Sequence, residues 1–323
     1  MIDSNKFPVE LSGIAVSDCG KIAEHLSSHL QKILKQLRID EDLTEQFKSI
    51  YIPLAASLSV KAKEQPAPLI VGINGAQGSG KSTLCVFLKT ILQETFGLRS
   101  ISLSLDDLYS TQTERILAAK RTHPLLASRG VPGTHDIKLG LRLLDQLCIR
   151  KPGHKLSIPV FDKALDDRSP EQNWRLVTTP FDIILFEGWC VGAKPQEDAM
   201  LASPVNELEA KEDPEGVWRN YVNQRLRDDY AELFARLNLL IMLQVPEMEC
   251  VLEWRSLQEH KLAMRHKGTG TSKIMTQAEL QRFIMHYERL TRDMLQRMPD
   301  YADIVLRLNR DHLIDGVDVN SSP

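Results

Sequence analysis

The sequence predicts an α/β fold: a doubly wound parallel sheet with flanking helices. Two observations carry this prediction. Short apolar runs bounded by glycine, proline or acidic residues recur along the chain, as buried strands of a parallel sheet require. Stretches with apolar residues at helical spacing separate several of these runs, which is the pattern of βα units.

The first such run, at 69–73, lies between a Pro-Ala-Pro segment and a glycine. Further strands are expected at 100–105, 155–160, 182–186, 239–245 and 303–308. Helices are expected at 83–96, 137–147, 217–237, 246–264 and 277–296. Residues 1–65 read as an N-terminal helical extension, and residues 66–323 as the main domain. In the extension Ile22, Leu26, Leu30, Ile33, Leu34 and Leu37 form an apolar stripe. A second stripe, Leu43, Phe47, Ile50 and Leu54, is interrupted by Pro53, which makes one continuous helix uncertain on sequence grounds.

Composition narrows the class. The 323 residues are 42% hydrophobic and 26% charged, the balance of a chain that can bury a core. A formal net charge of −3 supplies no global field toward nucleic acid or acidic lipid. The five cysteines are widely spaced with no Cys-x-x-Cys pair, which argues against a structural zinc site or a disulfide framework. No basic-then-apolar secretory pattern opens the sequence, and no apolar run approaches the roughly 20 residues of a membrane span. A cytoplasmic protein is expected, with no nucleic-acid or membrane partner. Nothing in the sequence speaks to its oligomeric state.

Residues Gly75, Ala76, Gln77, Gly78, Ser79, Gly80, Lys81 and Ser82 fit G-x-x-x-x-G-K-[ST] at every fixed position. A strand is expected before them and a helix, from Thr83, after them. Glycines let the backbone curl until successive N–H groups converge on phosphate oxygens. The helix that follows aims its positive end at the same anion. Lys81 can place a point charge on the β- and γ-phosphates of ATP, and the Ser82 hydroxyl can ligate Mg²⁺. The fold expected is therefore that of the P-loop NTPases.

Downstream acids can complete such a site. Asp106 and Asp107 end the strand expected at 100–105, where ligands of an open α/β sheet gather. A carboxylate there can take a proton from a substrate hydroxyl or hold Mg²⁺ through water. Asp106 is the candidate general base and metal ligand, with Asp107 the second choice, although aspartate is also a preferred helix N-cap. Glu187 closes the apolar strand expected at 182–186, which suits a second carboxylate for the metal. Arg129, His135 and Asp136 lie in a loop with two glycines and a proline, where an arginine can pair with a substrate carboxylate or phosphate. That loop also reads as a capped turn into the helix from Ile137. Arg255 sits on a basic helix leading to a glycine-containing stretch, Arg265 to Thr271, which reads as a helical lid. Closure of such a lid brings a guanidinium onto the transferring group.

Several of these stretches occur in order along one chain. They are Gly75 to Thr83, Leu105 to Tyr109, His123 to Gly130 with Gly133 to Asp136, Pro159 to Lys163, Phe186 to Trp189, and Trp254 to Glu259. With this set, the chain from about Leu69 to about Leu308 resembles the D-glycerate 3-kinase-like group of P-loop kinases. Kinases of uridine, ribulose phosphate and pantothenate share the general plan, including a Pro-x-[aromatic]-Asp segment with a later arginine, here Pro159 to Asp162 and Arg168. The resemblance implies phosphoryl transfer from ATP to a hydroxyl of D-glycerate or a similar small hydroxy acid. It further implies a substrate end built from Asp107, Tyr109, Arg129, His135, Asp136, Asp162 and Arg168. Residues 1–65 carry no motif of that group.

The competing class is a nucleotide-dependent switch or regulatory ATPase without a small acceptor. A guanine-specific switch resembling known ones would carry Asn-Lys-x-Asp; the nearest stretch, Asn309-Arg-Asp, lacks the spacing.

Overall fold

The computed structural model describes residues 6–265 and 276–320. Helices α1 (Val16–His25) and α2 (Ser27–Leu37) come first, then α3 (Thr44–Gln46), a π-helical turn at Phe47–Tyr51, and α4 (Ile52–Glu64). Strand β1 (Leu69–Gly75) leads into α5 (Lys81–Phe96), β2 (Ser100–Ser104), α6 (Gln112–Arg121) and α7 (Ile137–Leu147). Four short strands follow: β3 (Lys155–Ile158), β4 (Phe161–Asp162), β5 (Asp167–Arg168) and β6 (Arg175–Thr178). Next come β7 (Ile183–Gly188), α8 (Glu207–Glu212), α9 (Val217–Arg227), α10 (Asp229–Phe234) and β8 (Leu239–Gln244). The remaining elements are α11 (Met248–Arg265), α12 (Gln277–Arg297), β9 (Ile304–Leu308) and β10 (Ile314–Val319).

The main sheet runs β10-β9-β8-β1-β7-β2. All neighbours are parallel except β10, which turns back antiparallel to β9. Strand β1 sits inside the sheet, so the chain visits β2 and β7 on one side of it and β8 and β9 on the other. The loop after β1 therefore lies at the crevice where ligands of such sheets bind.

Side chains of one strand divide between two cores, as a two-residue period demands. Ile183 and Leu185 enter one, Ile184 and Phe186 the other. The first core is covered by α4, α5 and α11, the second by α7, α9, α10 and α12. Both faces are thus buried, which is why the strands read as near-continuous apolar runs.

The N-terminal helices share the first core. Leu26, Leu30, Ile33, Ile50 and Leu54 are buried in it, and the Phe47 and Tyr51 rings pack on Phe87 of α5 at 5.8 and 5.0 Å between centroids. Burying each large apolar side chain contributes about 1.5–3 kcal/mol. Phe87→Ala would open a cavity under both rings and cost about 3–5 kcal/mol. Pro53 does not break the helix. The preceding π turn, with Ile52 N–H reaching back to the Phe47 carbonyl, widens the ladder where the proline enters.

Two expectations are corrected. The strand expected at 155–160 forms outside the main sheet, as an antiparallel ribbon of β3 with β6. The helix expected over 217–237 is two helices, because Asp228 adopts φ −90°, ψ −107° between them. Strand β10 went unforeseen. The stretch from His266 to Thr271, read as the lid loop, lies outside the described residues.

Candidate active site

The turn from β1 into α5 is glycine-dependent at two points. Gly78 (φ 85°) and Gly80 (φ 90°) occupy the left-handed region that side chains rarely adopt. At Gly78 there is also no room, since a Cβ there would lie 2.9 Å from the Trp254 Cβ. Lys81, the first residue of α5, folds back and donates from Nζ to the Gly75 and Ala76 carbonyls at 2.8 and 3.0 Å. Burial pushes its pKa down, and the nearby carboxylates of Glu187 and Asp106 oppose that.

Two carboxylates converge on this turn. The Ser82 hydroxyl donates to Oε1 of Glu187 at 3.2 Å. Asp106 lies on the 3₁₀ turn Leu105–Leu108 that ends β2. Its Oδ2 accepts from Lys163 Nζ at 2.6 Å and its Oδ1 from the Tyr109 hydroxyl at 3.1 Å. Burial pushes the Asp106 carboxyl up, but the charge and hydrogen bond of Lys163 outweigh it. The group therefore sits below its ordinary value and stays anionic.

A cleft of about 630 Å³ runs across the phosphate loop. On the β2–β7 side its wall is polar and charged, with Asp106, Lys163, Arg129 and Glu187. On the β8–β9 side it is largely apolar and aromatic, with Trp254, His312, Leu313 and Leu37. There the Trp254 and His312 rings lie 3.9 Å apart with a 30° tilt.

Of the residues predicted from sequence, Lys81, Ser82, Thr83, Asp106, Tyr109, Arg129, Glu187 and Arg255 meet in this cleft. Gln77, Gly78, Ser79 and Gly80 line it as well, while Gly75 and Ala76 support it through the carbonyls that hold Lys81. Arg255 extends over the Phe283 ring, 5.5 Å from its centre. Arg129 pairs with Asp166 and lies over the Phe161 ring at 5.4 Å.

Five others are not brought to the cleft surface, and each has internal work instead. Asp107 accepts the Phe161 N–H at 3.2 Å, and burial pushes its carboxyl up. His135 is buried between Tyr109, stacked at 4.4 Å, and the Tyr230 hydroxyl, which bonds its Nδ1. Burial brings the imidazole pKa down to about 3, so it is neutral. Asp136 caps α7 through the Leu139 N–H at 3.0 Å. Asp162 closes its own turn by accepting from Ala164 and Leu165. Arg168 donates to the Tyr109 carbonyl at 2.9 Å and to Asp136 at 3.4 Å. These five sit behind the polar wall of the cleft.

Sequence reasoning missed Lys163 and Tyr287. Lys163 directly follows the Phe161–Asp162 pair, and that adjacency was the available signal. Tyr287 donates to the Arg129 carbonyl at 3.3 Å, and its hydroxyl fills the space where a Gly130 Cβ would stand.

Comparison with known proteins accords with this geometry. No family model matches the chain. The chain is 34% identical over 246 residues to the uncharacterized kinase mug58 of Schizosaccharomyces pombe, spanning 71% of this chain and 82% of that protein. It is 30% identical over 227 residues to the chloroplastic D-glycerate 3-kinase of Arabidopsis thaliana, spanning 68% of this chain and 46% of that longer protein. The chain belongs to the D-glycerate 3-kinase-like family of P-loop kinases. Among solved structures, a D-glycerate 3-kinase from Cryptococcus neoformans superposes with a TM-score of 0.67 at 26% identity, covering 83% of this chain and 97% of that one. As a member of this kinase family, the protein is a small-molecule kinase. Among the described residues, no helix is long and apolar enough to cross a membrane.

Proposed function

We propose that this kinase transfers the γ-phosphoryl group of ATP to a hydroxyl of D-glycerate or a closely similar hydroxy acid. The observation that carries the reading is the asymmetry of the cleft about the phosphate loop. Its β2–β7 end presents an anionic carboxylate, Asp106, paired with Lys163, in a wall that also holds Arg129. A small acceptor bearing both a hydroxyl and an anion suits that end. A flat, apolar base suits the Trp254–His312 end.

Lys81 and the backbone of residues 75–82 hold the β- and γ-phosphates. The acceptor hydroxyl gives its proton to Asp106 as its oxygen bonds the γ-phosphorus. The bond from that phosphorus to the β–γ bridging oxygen breaks, and ADP leaves. Arg255 and Lys163 neutralise charge on the transferring group, and Arg129 pairs with the acceptor carboxylate. The Ser82 hydroxyl and the Glu187 carboxylate are hard oxygen donors 3.2 Å apart facing the cleft, and with Asp106 nearby they suit Mg²⁺. When bound there, Mg²⁺ supplies positive charge for the phosphate oxygens. The remainder is positioning and electrostatics by the chain itself.

Support also comes from the family: the Arabidopsis and Cryptococcus relatives bear the name D-glycerate 3-kinase. The reading is tested by initial rates of ADP formation with D-glycerate, L-glycerate, other hydroxy acids, uridine, pantothenate and ribulose 5-phosphate. Selective turnover of D-glycerate supports it. Preference for uridine or pantothenate over every hydroxy acid refutes it.

A further inference from the structure

We infer that Asp166 is a positioning residue for the acceptor: it fixes Arg129 so that the guanidinium is already placed when the substrate's anionic group arrives. This rests on the acceptor end assigned under Proposed function.

Asp166 stands in the turn between β4 and β5, a two-residue-deep hairpin in which Phe161 pairs with Arg168 and Asp162 with Asp167. Its φ is +54°, a left-handed conformation that costs a side chain energy and that aspartate tolerates better than most residues. Non-glycine residues held in that region cluster at functional sites. Among the described non-glycine residues only Arg38, Asp166 and His312 share it, and Arg38 and His312 both line the cleft.

The carboxylate of Asp166 joins two arginines with different surroundings. Oδ2 accepts from Arg115 Nη2 at 2.6 Å, and the Asp166 carbonyl accepts from the same nitrogen at 2.9 Å. Arg115 is 1% exposed and further anchored, through Nη1 to the Ser110 carbonyl at 2.7 Å and through Nε to the Ala127 carbonyl at 3.3 Å. It is a fixed post on α6. Oδ1 accepts from Nη1 of Arg129. Arg129, unlike Arg115, lines the cleft, in the wall that also holds Asp106 and Lys163. The Phe161 ring lies under both guanidinium groups, 5.6 Å from Arg115 and 5.4 Å from Arg129.

The chain of contacts therefore runs from a buried post through one carboxylate to a cleft arginine. A free arginine side chain must give up rotamer freedom when it binds an anion. Held by Asp166 on one edge and Phe161 on one face, Arg129 has made that payment before the substrate binds, which strengthens binding without changing the chemical step. The acceptor class this device fits is a small molecule carrying a carboxylate or a phosphate, rather than a neutral polyol.

The test is steady-state kinetics of Asp166→Asn and Asp166→Gly beside the wild-type enzyme, with D-glycerate, a phosphate-bearing polyol and neutral glycerol as acceptors. Asparagine and glycine both accept the left-handed turn, and Arg115 keeps its three carbonyl partners in either variant. Both variants should raise KM for the anionic acceptor about tenfold, the scale of one charge-assisted hydrogen bond, and leave KM for ATP and kcat nearly unchanged. The preference for an anionic acceptor over glycerol should fall by a similar factor. Whichever anion, carboxylate or phosphate, loses the more identifies Arg129's natural partner. Asp166→Asn should also add little in an Arg129→Lys background, because the two residues act as one unit. An unchanged acceptor KM, or acceptor and ATP KM rising together with thermal stability falling, would show a merely structural turn and overturn the inference. A wild-type enzyme that phosphorylates no anionic acceptor overturns the proposed function, and this inference with it.

Discussion

Ser82 and Glu187 meet at 3.2 Å although 105 residues separate them in the chain. Strands β1 and β7 are hydrogen-bonded neighbours with Ile73 opposite Glu187, so the carboxylate reaches the end of β7 at the level where β1 turns into the phosphate loop. A register slip of one residue would swing Glu187 to the other face of the sheet. The proximity is thus a consequence of strand pairing that the apolar pattern of both strands enforces.

From that pair follows a prediction for the metal. Activity should vanish on chelation of Mg²⁺ and return on its addition. Glu187→Gln, which keeps the shape and removes the charge, should raise the Mg²⁺ concentration for half-maximal rate about 10–100-fold. Titration of Mg²⁺ at saturating ATP measures this, and an unchanged Mg²⁺ requirement would contradict the assignment.

Lys81 is held by two loop carbonyls, so its charge is fixed beside the loop proposed to take the phosphates. Lys81→Ala should lower kcat about 10²–10³-fold, or ~3–4 kcal/mol of barrier, with the fold intact by circular dichroism. Near-normal turnover would remove Lys81 from the chemistry.

Lys163 does most to hold the buried Asp106 carboxyl below its ordinary value, with Lys81 adding to it, because burial alone would push it up. Wild-type kcat should therefore hold steady as pH falls from 8 to about 5. In Lys163→Met the main opposing charge is gone and the burial effect remains, so the acid limb of the profile should move to higher pH. The pH dependence of kcat for both proteins decides it; coincident acid limbs would mean that Lys163 does not set the charge of Asp106.

His135 makes a prediction about stability. Its folded pKa is about 3, against about 6.5 in an unfolded chain. Between those values the unfolded state binds the extra proton, so stability rises with pH. The contribution is complete above about 6.5 and is lost as pH falls toward 3, at up to about 1.4 kcal/mol per unit. Urea unfolding at pH 7 and pH 5 should show a smaller loss for His135→Gln than for wild type. Equal losses would mean that His135 is not the group responsible.

The sequence announced the phosphate loop and its flanking elements because fixed spacing and glycine chemistry leave few alternatives. It announced Glu187 because a buried strand ending in an acid keeps its apolar period up to the last residue. It put Asp106 ahead of Asp107 without a geometric reason for the order. The two are adjacent on a 3₁₀ turn, and only the fold sends one toward Lys163 and the other toward the Phe161 backbone. Asp166 stayed hidden because the β4–β5 hairpin is too short to show a period, and Lys163, though next to the Phe161–Asp162 pair, was given no role for the same reason. His135 and Asp136 read as ligands in a polar loop, and Asp162 and Arg168 as ligands by resemblance; the fold instead buries the His135 ring, uses Asp136 as a helix cap, and gives Asp162 and Arg168 backbone partners. Strand β10 was missed because Asp315, Gly316 and Asp318 interrupt its apolar pattern.

The measurement that bears most directly on the whole account is the fate of the γ-phosphoryl group. Phosphorus NMR of enzyme, ATP, Mg²⁺ and D-glycerate should show a new phosphate monoester growing in step with ADP, with little inorganic phosphate, and neither change with Lys81→Ala. ADP and inorganic phosphate appearing together at the same rate with or without any acceptor would instead mark an ATPase and contradict phosphoryl transfer to a small hydroxy acid.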